Sequence, residues 1–129
     1  MSAESTARRR IVDPVVYLLD AFVLLFFAGV GRDEHDSGPL TGLLDTAWPF
    51  LAGAAIGHLI AAALHREPIT LRAGVIVWAS TVVGGMLLRQ VTGDGTAFSF
   101  IVVTTCFTGF FLIGWRVILL GWMRRRGEE

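Results

Sequence analysis

The stretch Tyr17–Gly29, YLLDAFVLLFFAG, decides the fold. It belongs to an apolar run of about residues 14–30, broken within only by Asp20. A helix rises about 1.5 Å per residue, so a run of this length comes close to crossing a hydrocarbon core of about 30 Å. Working outward, three more runs of the same kind follow, at about 47–64, 71–88 and 97–122. The sequence therefore predicts an all-α fold, a four-transmembrane-helix bundle, formed by the 129 residues as one domain.

Composition agrees. Hydrophobic residues make up 53 % and charged residues 17 %, below the roughly 25 % charged of soluble domains. All 11 basic residues are Arg, which reads as coding bias because Lys is absent. Formal net charge is zero, which gives a nucleic-acid partner no basic face to bind. The lone Cys106 excludes a disulfide framework and reads as a small core hydrophobe. No cofactor motif is present.

The expected helix ends follow from local chemistry. Asp13-Pro14 reads as an N-cap followed by proline at the first helical position, and Asp45 as a cap with Pro49 in the first turn behind it. Pro68 and Thr70 punctuate the start of the third helix, and Thr96 is a candidate cap for the fourth. Arginines set the orientation. With a cytoplasmic N-terminus, Arg8, Arg9, Arg10, Arg66, Arg72, Arg124, Arg125 and Arg126 lie inside, and only Arg32 and Arg89 outside. Both termini are expected to be cytoplasmic, in a multi-pass protein of the plasma membrane. Such a bias also disfavours dual insertion with antiparallel pairing. "ARRRIVD" resembles an export signal, but Asp20 and the later spans argue against cleavage.

Asp20 requires a partner, since a charged residue at membrane depth costs about 2.5–3.5 kcal/mol and faces the bundle or a cavity. Counting along the helices places Asp20 and His58 each roughly 9–10 Å from the inner end. Trp78 falls in the same layer by the same count. Arg116 lies either near the inner interface or level with Asp20, depending on which end of its long span is the reference. Asp20, His58, Trp78 and Arg116 thus form a candidate intramembrane polar layer. It is either a clasp that fixes helix register or a protonatable relay. Trp115 and Trp122 read as interface anchors. Gly53, Gly57 and Ala61, with Ala73, Val77, Ser80 and Gly84, give two small-residue faces suited to close packing within the chain.

At the outer rim, the loop 31–46 carries Arg32, His35 and four acids. His35 between carboxylates imitates a metal site, but no second His is near, and no metal is assigned. Arg32 and Arg89 end the two outward-going spans, and the glycine turn TGDGT, residues 92–96, follows Arg89. Arg32, His35, Arg89 and Thr96 are candidates for holding an anion or a lipid head group; the bland alternative is anchoring and pairing with loop acids.

Together Asp20, Gly31-Arg32, His35, AWPF at 47–50, Val77-Trp78, Thr81, Leu88-Arg89, GDGTAF at 93–98 and GWR at 114–116 resemble domain-of-unknown-function family 3054. The resemblance spans most of the chain beyond residue 12. It implies a small integral membrane protein and supplies no activity or catalytic residue.

Three functions fit. A small transporter or channel using the Asp20–His58 layer leads, because intramembrane ionisable groups mark functional sites by default. The second is a non-enzymatic accessory or assembly subunit of a membrane complex, or a homo-oligomer. The third is a lipid-head-group-binding protein or enzyme at the outer rim. Enzymatic chemistry is the weakest of these, since no nucleophile–base spacing is recognisable. Membrane lipids are partners under every reading.

Overall fold

The computed structural model describes residues 3–31, 39–93 and 95–127. They form four helices: α1 (Ala3–Gly31), α2 (Pro39–Ala63), α3 (Leu71–Val91) and α4 (Phe98–Gly127). Each contains a segment long and apolar enough to cross a membrane: Val12–Val30, Gly42–Ala63, Leu71–Val91 and Phe98–Arg126. Among the described residues the helices pack as a ring, α1 on α2, α2 on α3, α3 on α4 and α4 on α1, and across the diagonal α2 meets α4 through the Phe50 and Phe100 rings. Short connections make neighbours antiparallel, as in an up-and-down bundle.

Several helix ends differ from the sequence expectation. Asp13-Pro14 opens no helix; α1 already runs from Ala3, with Pro14 inside it. Proline there leaves the Arg10 carbonyl without its intrahelical donor. That position lies at the edge of the apolar segment, where water can serve the freed carbonyl. Asp45 caps nothing, because α2 begins at Pro39 and includes both Asp45 and Pro49. The signal was present: Pro39 suits a first helical position, and Leu40, Leu43, Leu44 and Ala47 repeat at helical spacing. Thr96 spends its hydroxyl on Gln90, at 3.0 Å, and α4 starts two residues later. Thr70 does cap α3, accepting from the Ala73 N–H at 3.2 Å. α4 runs on through Arg124–Arg126, whose positive charges suit a helix C-terminus.

The α2–α3 seam is the most extensive contact, and glycines allow it. A methyl group on Gly53 would stand 2.7 Å from the Ser80 carbonyl oxygen, and one on Gly57 would stand 2.8 Å from the Val77 Cα. The small-residue face of α2 is therefore used inside the chain, with backbone close to backbone. Towards the end where α1 stops and α2 starts, Leu24, Phe27, Phe50, Val77, Met86 and Leu112 form the buried core. Phe27 centres an aromatic cluster, 5.4 Å from Phe50 and 5.3 Å from Phe107 between ring centroids. The outer surface is also apolar, with Leu18, Leu59, Phe110 and Ile118 exposed. In water that would be an aggregating surface; in a bilayer it faces lipid. Cys106 lies on this exposed side and not in the core.

Candidate functional site: a buried carboxylate–guanidinium cluster

Asp20 stands on α1 one turn before Leu24 and is 1 % exposed; Arg116 on α4 is 0 % exposed. Their side chains meet in a two-pronged pair, Nη1 to Oδ1 at 2.9 Å and Nη2 to Oδ2 at 2.7 Å. Trp115 donates its indole N–H to Oδ1 at 3.0 Å, and His58 on α2 meets Oδ2 through Nε2 at 2.9 Å. Each carboxylate oxygen thus accepts two hydrogen bonds. Arg116 also donates Nε–H to the Pro68 carbonyl (3.0 Å) and Nη1–H to the Leu112 carbonyl (2.9 Å). Its guanidinium carbon lies 4.6 Å from the centroid of the neighbouring Trp115 ring.

The cluster ties α1, α2, α4 and the α2–α3 turn together. α3 contributes space: a methyl group on Gly74 would fall 2.6 Å from Arg116 Cδ. Charge-assisted, bidentate pairing is the strong form of hydrogen bonding, and it offsets the cost of holding both charges at membrane depth. The two formal charges cancel, and the four acceptor sites of the carboxylate are all taken.

Sequence reasoning placed Asp20 and His58 at one depth and left Arg116 either level with them or near the inner interface; the structure brings His58 and Arg116 together on Asp20. Trp78 is not with them. It donates to the Thr105 carbonyl at 3.0 Å and packs on Gly109, nearer the aromatic core. The tryptophan that reaches Asp20 is Trp115, which its position had suggested to be an interface anchor. Gly74 and the Pro68 and Leu112 carbonyls were also missed. Adjacency of Trp115 to Arg116 was the available hint; a backbone acceptor leaves no sequence signal.

His58 is the edge of the cluster, with its side chain 13 % exposed. Because the carboxylate accepts, Nε2 carries the hydrogen, and the neutral ring presents Nδ1 as an acceptor. Nδ1 is buried and has no partner among the described residues. Tyr17 packs edge-on against the ring, 4.7 Å between centroids. Two hollows meet at this residue. One, of about 340 Å³, is polar and lined by Asp13, Tyr17, His58, His65, Arg66 and Glu67 at the α2–α3 turn. The other, of about 530 Å³, is a mainly apolar groove between α1 and α2 that also reaches Asp20.

At the opposite rim, Arg32 and His35 lie outside the described residues. Arg89 donates Nε–H to the Gly95 carbonyl at 3.1 Å and lies over Phe100 at 4.4 Å, bracing the α3–α4 turn. Thr96 is bonded to Gln90. No group of three or more metal-ligating side chains occurs among the described residues.

Fold and site define a multi-pass helical membrane protein built around a buried ion-pair cluster. Residues 17–119 match the model of a family described as protein of unknown function (DUF3054), and the chain belongs to that family. Comparisons with curated proteins and with solved structures gave no match.

Proposed function

We propose that this protein is a non-conducting component of the plasma membrane, an accessory or assembly subunit, with both termini in the cytoplasm. One observation carries the reading: the Asp20 carboxylate is saturated by Arg116, Trp115 and His58. A relay group must exchange partners, and a carrier must leave a coordination position for its cargo. With four hydrogen bonds accepted, Asp20 has no site left to offer. Leu24, Phe27, Phe50 and Leu112 pack on the α1 C-terminal side of the cluster, where a through path would run. The saturated pair instead suits a clasp that holds three helices and a turn in register.

Proteoliposomes under an imposed potential test this directly. The expected result is no proton flux for the wild type above protein-free vesicles, and none for Asp20→Asn. Flux in the wild type that disappears in a normally folded Asp20→Asn would overturn the proposal in favour of transport. That second reading has its own support, because His58 borders a polar hollow on one side of the bundle.

A further inference from the structure

His58 combines three features that the clasp does not use. Its Nδ1 is buried and unpartnered among the described residues, its ring borders the α1–α2 groove, and four alanines are among the residues that line that groove. Ala21, Ala54, Ala55 and Ala62 leave the slot between the helices, while Leu59 and Ala55 are exposed on the outer face of the bundle. In a bilayer, the groove opens sideways to lipid.

The chemistry of an occupant can be read from these walls. A lone pair at Nδ1 of the neutral ring requires a hydrogen-bond donor. Asp20 and Arg116 cancel each other, so the cluster offers no net charge to an ionic head group. His58 lies roughly 10 Å inside the nearer helix end, deeper than a phospholipid head group sits, and acyl chains carry no donor to that depth. A ligand with an uncharged, flat, hydroxyl-bearing head and a long apolar tail satisfies all three conditions. The geometry points to a membrane quinol, bound in the α1–α2 groove with one hydroxyl donating to His58 Nδ1 and its tail leaving into the bilayer. Nδ1 is covered, so binding requires a side chain to move aside. Tyr17 lies against the ring and is 44 % exposed, which leaves it room to rotate. Binding alone is proposed, with no electron transfer, and it is independent of whether the protein conducts.

The test is the thermal stability of purified protein in detergent, titrated with decylubiquinol held reduced, and separately with decylubiquinone. Binding to the folded form raises the melting temperature in a saturable manner. The quinol should bind about tenfold more tightly than the quinone, the scale of one hydrogen bond at an otherwise unpaired buried group. Ala55→Phe, an exposed position outside the clasp, should fill the groove and weaken quinol binding at least about tenfold. His58→Ala should remove the preference for quinol. Equal stabilisation of wild type and Ala55→Phe would overturn the proposal, since it would be a micelle effect. So would equal affinity for quinol and quinone in the wild type, or the same saturation with a phosphatidylcholine, which would mean that the groove takes any chain.

Discussion

Removing one half of the Asp20–Arg116 pair strands the other in a buried place, Arg116 with no carboxylate against it among the described residues and Asp20 with only His58 and Trp115. Breaking a buried pair in this way costs about 3–5 kcal/mol, whereas replacing both charges with apolar groups is often close to neutral. Asp20→Leu and Arg116→Met should therefore each lower stability by about that amount, and the double substitution should lose less than the sum of the two, the remainder reflecting the Trp115 and His58 N–H groups left without their acceptor. Denaturation in detergent, followed by tryptophan fluorescence, measures all three. If the losses simply added, the two residues would not be acting as one unit. This cluster was partly legible in the sequence because helical rise is fixed, so counting residues gives depth. Counting gives no rotation about the axis and no neighbour, which is why Trp78 was grouped with Asp20 and Trp115 was not. Gly74 carries no sequence signal of its role, although its missing side chain is what admits the Arg116 stem.

At the scale of the elements, the number and order of the spans follow from apolar length alone, while the ends depend on local competition. α1 and α2 extend past the prolines expected at their starts, since the carbonyls these prolines free, of Arg10 and Asp45, lie just outside or close to the start of the apolar segments, where water can satisfy them. The α2 C-terminus shows the opposite case, a local motif at odds with its residue. The Arg66 N–H bonds to the Ala61 carbonyl at 2.9 Å and the His65 N–H to the Ala62 carbonyl at 3.0 Å, the Schellman pattern. That pattern puts His65 at φ 59°, a left-handed position where glycine is usual. A side chain there costs about 1–2 kcal/mol. His65→Gly should thus stabilise the protein by about 1 kcal/mol in the same denaturation assay. A loss of stability would mean that the imidazole, which borders the polar hollow, makes interactions worth more than the strain.

At the scale of the whole molecule, the bundle is apolar on its outside and its buried ion pair carries no net charge, so its direction in the membrane must be set by charge beyond the spans. Eight arginines fall on one side and two on the other when the N-terminus is cytoplasmic. Near an anionic inner leaflet each is worth roughly 1 kcal/mol, so the difference of six far exceeds thermal energy. No single substitution at a loop should reverse it. Cysteine labelling with an impermeant maleimide checks this in a Cys106→Ala background, because the native thiol is exposed. Thr92→Cys, exposed in the α3–α4 turn, should react in intact cells. Arg66→Cys, exposed in the α2–α3 turn, should react only after permeabilisation. The same experiment assigns the polar hollow at His58 a side, since it lies at the α2–α3 turn. Labelling of Arg66→Cys from outside would turn that hollow outward and make the arginine asymmetry a poor guide for this chain. Labelling of both sites from outside would mean two populations of opposite orientation, which the charge difference does not allow.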